Sequence, residues 1–159
     1  MCDVLNDPAT LLRIDAVSDD ERTLAYARRL THGNMRDDYA RHGLVWDDAH
    51  FDRYWTETEN YLLRVGDRPL GLVRLGIELS ACYLRDLQIE PRWQRQGLGR
   101  WCLHWVTALA RRRGCRYLRL RAFHDSAAVL LYQRHGLCFV SRDGVLVRME
   151  MPLNEPARE

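Results

Sequence analysis

Between Ile89 and Trp101 the chain reads IEPRWQRQGLGRW, and this stretch limits the fold more than any other. Proline cannot donate to a sheet, so Pro91 closes the strand that precedes it. Gly97 and Gly99 stand where a helical pattern begins, because Leu98, Trp101, Cys102, Trp105 and Leu109 follow i, i+3, i+4, i+7 spacing. A strand therefore feeds a helix through an arginine-rich loop. A helix start exposes unpaired N–H groups and the positive end of the macrodipole, which together bind phosphate. Glycine lets a ligand oxygen reach those amides. Arg92, Arg95 and Arg100 add charge-assisted donors. On these grounds Gln94 to Arg100 reads either as a pyrophosphate cradle or as a glycine-tolerant helix start with a solvated basic surface.

The elements around this stretch follow from periodicity and punctuation. LLRIDAVS reads as a first strand, and DDERTLAYARRL as a helix capped by Asp19 or Asp20. THGNMRDDYARHGL is polar and contains Gly33 and Gly43, which predicts a loop or a short helix. WDDAHFDRYWTE spaces Trp46, Phe51 and Trp55 for a second short helix. NYLLRVG and LGLVRLGIEL form a hairpin through Gly-Asp-Arg-Pro, and ACYLRDLQIEP is the next strand. The glycine-started helix ends at Arg111-Arg112-Arg113-Gly114, with cations at the negative dipole end and a C′ glycine. CRYLRLRAF alternates as a strand. DSAAVLLYQRHG is a helix with Asp125 as its expected N-cap and Gly136 as its stop. LCFVSRDGVLVRMEMPL is a last hairpin. The order is β-α-α-β-β-β-α-β-α-β-β, a mixed α/β chain around one sheet.

Composition narrows the function classes. The 159 residues suit a single domain spanning 1–159. A net charge of +2 argues against nucleic acid or an anionic membrane as partner. No apolar run approaches the ~20 residues of a membrane span, and MCDVLNDPAT lacks the pattern of a secretory signal. The expectation is a cytoplasmic protein; the sequence leaves a homodimer open. Five cysteines without C-x-x-C spacing and scattered histidines predict no disulfide framework and no metal site. All 24 basic residues are arginine, which excludes a G-K-[ST] phosphate loop and Schiff-base lysine chemistry. A dinucleotide fingerprint is disfavoured too, because its third glycine position is Cys102 and the expected acidic position holds Arg121.

LQIEPRWQRQGLG resembles motif A of the GNAT superfamily of acyl-CoA-dependent N-acetyltransferases, a strand and proline followed by [QR]-x-x-G-x-[GA], here Gln94, Gly97 and Gly99. DSAAVLLYQRHGL resembles the family's N-x-x-A-x-x-[LF]-Y-x-x-x-G-F, with Ala128, Leu131, Tyr132 and Gly136 matching. Asp125 replaces asparagine and Leu137 replaces phenylalanine. The resemblance covers nearly the whole chain. It implies the GNAT fold: a single mixed, mostly antiparallel sheet of about seven strands, splayed at the motif A strand and flanked by about four helices.

The resemblance also implies roles. Acetyl-CoA would be the co-substrate, with no metal. Leu87, Gln88 and Ile89 would pair with the pantetheine arm, the amide near Ile89 acting as an oxyanion donor. Gln94, Arg95, Gln96, Gly97, Leu98, Gly99 and Arg100 would hold the pyrophosphate. Asp125 and Ala128 stand at family cofactor positions, although Asp125 can only accept hydrogen bonds, and capping its helix explains it equally well. Tyr132 would protonate the leaving thiolate; its other reading is a core aromatic. The acceptor would be a primary amine of a small molecule or peptide. The alternative is a catalytically weak acyl-CoA-binding module, a sensor or scaffold.

The base and the acceptor site are less determined. Where relatives carry Glu or His on the motif A strand, this chain has Arg85 and Tyr83, so deprotonation is expected through water, aided by Tyr83 or by Glu78 or Asp86. Arg74 and Arg85 fall in central strands, where an unpaired charge is costly. They either form internal salt bridges with Glu78 or Asp86 or, with Tyr83, bind an acceptor that carries an acidic group.

Overall fold

The computed structural model describes residues 11–17 and 19–153. The opening decapeptide used above to argue against a signal, Cys2 within it, and residues 154–159 lie outside the described residues. Among the described residues, seven strands and four α-helices follow one another in the expected order. The strands are β1 (Leu12–Ala16), β2 (Glu59–Val65), β3 (Arg68–Glu78), β4 (Ala81–Ile89), β5 (Tyr117–Phe123), β6 (Cys138–Asp143) and β7 (Leu146–Pro152). The helices are α1 (Glu21–Arg41), α2 (Asp48–Trp55), α3 (Leu98–Arg112) and α4 (Ala128–His135). The strands form one sheet in the order β1-β2-β3-β4-β5-β7-β6. β4 and β5 run parallel, while β1–β2, β5–β7 and β6–β7 are antiparallel. Among the described residues no helix is long and apolar enough to cross a membrane.

The described residues pack as two compact units, one holding those up to Arg74 together with Asp86–Gly99, the other Leu75–Arg85 and those from Arg100 to Leu153. The first unit centres on Ala27, Leu30, Phe51, Trp55, Leu62 and Leu72, with Val17, Leu24, Tyr26 and Trp46 packed against them. Two aspartates start its helices. The Asp20 carboxylate accepts from the Thr23 N–H at 2.8 Å, and Asp47 accepts from Ala49 N–H at 3.0 Å. The predicted break after Leu30 does not occur, because α1 runs on through Gly33 to Arg41. A glycine inside a helix costs about 1 kcal/mol relative to alanine. Burial of Ala27, Leu30 and Thr31 on the same helix outweighs that cost. The helix stops only where His42 caps it and Gly43 takes φ +66°.

The second unit buries Cys82, Leu84, Cys102, Leu103, Val106, Leu118, Leu120 and Met149. Burial pushes the Cys102 thiol up to about 12. In α4 the expected cap is replaced. The N-cap position falls to Ala127, which has no capping side chain, and Ser126 Oγ accepts from the Ala128 N–H at 3.2 Å. Asp125 sits two residues before that position and is exposed in the preceding turn. Gly136, at φ +115°, ends α4 as expected. The parallel register pairs Ala81–Leu84 with Tyr117–Leu120 and ends there, while β4 continues to Ile89.

Candidate active site

The motif A strand ends in a clamp built from the first unit. Glu90 N–H donates to Leu70 O at 2.9 Å, which fixes the antiparallel phase of β4 against β3. By alternation, the backbone groups of Ile89 and Leu87 point away from β3. The Ile89 carbonyl accepts from Asn34 Nδ2 at 2.9 Å and from Gln94 Nε2 at 3.0 Å. Asn34 Nδ2 also lies 3.2 Å from Gln88 Oε1, and Gln88 Nε2 donates to Asp86 Oδ1 at 3.2 Å. Tyr26 donates its hydroxyl to Glu90 Oε1 at 2.8 Å, and burial together with that carboxylate raises the phenol's pKa. The strand end is therefore held from helix, loop and neighbouring strand at once.

The loop after it is shaped for an anion. A short 3₁₀ turn covers Pro91–Trp93. Arg95 and Gly97 then adopt positive φ, +60° and +85°. Backbone that alternates into the left-handed region turns successive N–H groups into a concave nest. A Cβ at Gly97 would meet nothing within 4 Å, so open space lies beside that backbone. No carboxylate occurs between Pro91 and Trp101. The first N–H groups of α3, from Leu98 through Gly99 to Arg100, have no intrahelical acceptor. These features fit a pyrophosphate. Gln94 was expected to face that phosphate, but its carboxamide is turned back onto the strand, and Gln96 Nε2 similarly reaches Arg92 O at 3.2 Å. Trp93 Nε1 is buried without a hydrogen-bond partner among the described residues.

Asp86, also in the first unit, sits at the centre of a polar network. Its side chain is 18% exposed and Arg74, 5% exposed, pairs with it at 2.9 Å. Arg74 Nε and Nη2 also lie 3.3 and 3.2 Å from Thr58 Oγ1, and the guanidinium stands 4.6 Å over the Phe51 ring. The internal salt bridge is thus present, and Arg74 has its charge compensated. Desolvation raises the Asp86 pKa above the ordinary carboxylate value, against the opposing pull of Arg74 and the hydrogen bond from Gln88. Nearby, His32 stacks on Trp46 at 4.8 Å, and Tyr39 and Phe51 flank the same indole.

In the second unit Tyr132 is buried at 9% exposure on α4, with Ala128 one turn earlier in the same helix. Arg85 is 40% exposed and reaches Glu78 only at 3.9 Å. Its guanidinium stands 4.8 Å over the Tyr83 ring, whose hydroxyl accepts from Arg119 Nη1 at 3.3 Å. Sequence reasoning missed Asn34, Thr58 and Asn60. The available signal was His32-Gly33-Asn34, a run of poor helix formers inside a helix, where a broken local rule marks a contact.

The model of the Acetyltransferase (GNAT) family matches residues 19–137 of this chain. Among solved structures, the ribosomal-protein-S18-alanine N-acetyltransferase from Escherichia coli is similar at 21% identity and a TM-score of 0.70, covering 92% of this chain and 97% of that one. The PaiA N-acetyltransferase from Thermoplasma acidophilum, in complex with coenzyme A, is 15% identical with a TM-score of 0.69, over 89% and 99% of the two chains. An acetyltransferase from Bacillus subtilis in complex with CoA is 18% identical with a TM-score of 0.67, over 91% and 100%. At these identities the likeness is one of fold. No curated protein matches the chain.

Proposed function

We propose that this chain, which belongs to the acetyltransferase (GNAT) family, moves an acetyl group from acetyl-CoA to a primary amine of a small molecule or a peptide as a single-domain enzyme. The observation that carries the reading is the clamped end of β4 running into a carboxylate-free, positive-φ loop at the start of α3. The Ile89 N–H is free of β3 by phase and serves as the oxyanion donor; Leu87 to Ile89 hold the pantetheine arm. Gln94 to Arg100 bind the pyrophosphate, with Arg95, Arg100 and the backbone N–H groups as donors and the Gln94 side chain holding the strand. Asp125 and Ala128 line the cofactor at the start of α4.

An amine must lose a proton to become a nucleophile. Asp86 takes that proton through water, because its raised pKa brings it closer to the operating pH than an ordinary carboxylate. Attack on the thioester carbon forms the C–N bond, and collapse of the tetrahedral intermediate breaks the C–S bond. Tyr132 supplies the proton to the departing thiolate. Tyr83 and Arg85 contact the acceptor, and Arg74 acts through Asp86. A cytoplasmic location accompanies this reading.

Release of free CoA over a panel of amines, by wild type and Tyr132→Phe, tests it. A general acid contributes about 10²–10⁴-fold, so the variant should lose at least tenfold in kcat with little change in KM for acetyl-CoA. Normal turnover by the variant would remove Tyr132 from the mechanism. Binding of acetyl-CoA with no thiol release from any amine would favour the acyl-CoA-binding module.

A further inference from the structure

We propose that the exposed sheet face around β5 and β7 docks an acidic segment of a polypeptide. The inference stands on the second unit alone and does not depend on acetyl transfer. The strand register gathers its charges. Tyr83 lies opposite Arg119, Arg119 opposite Glu150, and Arg121 directly opposite Arg148. Arg85 follows Tyr83 by two residues on β4, so by alternation four arginines stand on one face of three strands.

Their carboxylate partners are fewer. Arg119 pairs with Glu150 at 2.5 Å, and Arg85 only approaches Glu78, at 3.9 Å. Arg121 and Arg148 are both exposed, and among the described residues neither has an ion-pair or hydrogen-bond partner. Asp143 stands opposite Leu146 at the hairpin end, and no ion pair joins it to either arginine. Like charges directly opposite on a ladder, with Cβ atoms about 5 Å apart, destabilise a sheet. The pair Arg121/Arg148 therefore costs stability in the free protein and becomes favourable once an anion bridges it. A carboxylate held there accepts from two planar forks, the geometry in which arginine binds most strongly.

The face also selects between anionic polymers. Single-stranded nucleic acid binds to such surfaces by stacking bases on aromatic rings. Here the rings are already roofed. The Arg85 guanidinium lies 4.8 Å over Tyr83, and that of Arg119 lies 4.8 Å over Tyr117. What lies outward is an array of donors in which both tyrosine rings already carry a guanidinium, which suits carboxylates spaced along an extended peptide.

Fluorescence anisotropy with labelled hexaglutamate, hexaglutamine and a hexathymidylate oligonucleotide tests this. Wild type should bind hexaglutamate, more weakly as salt rises, and bind hexaglutamine and the oligonucleotide at least tenfold more weakly. Arg121→Gln/Arg148→Gln should weaken hexaglutamate binding about tenfold or more. The charge-matched pair Arg36→Gln/Arg53→Gln, at exposed positions elsewhere, should leave it within twofold. The double variant should also be no less stable in urea than wild type, since it removes a repulsive pair. Equal binding of hexaglutamine, preference for the oligonucleotide, unchanged binding by the Arg121/Arg148 variant, or equal loss in the control pair would each overturn the proposal.

Discussion

Gly71 on β3 exists for a close approach to the motif A strand. An ideal Cβ placed there lies 2.6 Å from the Gln88 carbonyl oxygen and 3.0 Å from Ile89 Cδ1. Real Cβ contacts essentially never fall below 3.0 Å and ordinary contact begins at 3.4 Å, so in Gly71→Ala the carbonyl must retreat by about 0.4–0.8 Å. Little can give way. Gln88 and Ile89 are both 8% exposed, and the Gln88 side chain is tied to Asp86 and Asn34. Overpacking of this kind costs about 1–3 kcal/mol. Function should suffer as well. The Gln88 carbonyl and the Ile89 N–H belong to one planar peptide, so moving the first moves the second. That N–H is the proposed oxyanion donor, and a displacement near 1 Å at a reacting centre can cost about a hundredfold. Gly71→Ala should therefore unfold at lower urea, by 1 kcal/mol or more, and lose at least tenfold in kcat for CoA release. Stability within 0.5 kcal/mol of wild type together with kcat within twofold would refute the reasoning.

Three further outcomes follow from the same contacts. At Gly33, inside α1, an added Cβ meets nothing within 4 Å and φ is not positive, so Gly33→Ala should stabilise by about 0.5–1 kcal/mol in urea melts. Arg74→Ala leaves the Asp86 carboxylate desolvated without its cation and should cost about 3 kcal/mol. Because the folded pKa of Asp86 is raised above 3.8, its ionisation opposes folding: stability is full below that value and declines as pH climbs through the raised one. Asp86→Asn should abolish that decline in pH-dependent melts, and it should also remove the acid limb of the kcat/KM profile.

The element order was legible because each element carries its own punctuation. Pro91 closes β4, Gly114 and Gly136 end α3 and α4, and the paired apolar spacings set the helical faces. Local reading failed where a distant partner decides. Gly33 looks like a breaker, yet tertiary burial of Ala27, Leu30 and Thr31 carries α1 through it. Asp125 looks like a cap, but α4 begins only at Ala128, and Ser126 takes the contact. At the site, the backbone shape of Gln94 to Arg100 could be anticipated from the glycines. The Gln94 side chain could not, since its acceptor is the Ile89 carbonyl exposed by the end of a strand. The choice of Asp86 over Glu78 as partner for Arg74 likewise depends on strand register, with Thr58 and Asn60 added from β2 and the turn before it.

The most direct measurement is release of free CoA from acetyl-CoA, followed by mass spectrometry of the acceptor, across a panel of small amines and peptides with free amino groups. The account predicts one acetylated amine for each thiol released, with at least one acceptor turned over well above the rate of acetyl-CoA hydrolysis. Tight acetyl-CoA binding with no acetylated amine from any member of the panel would contradict it.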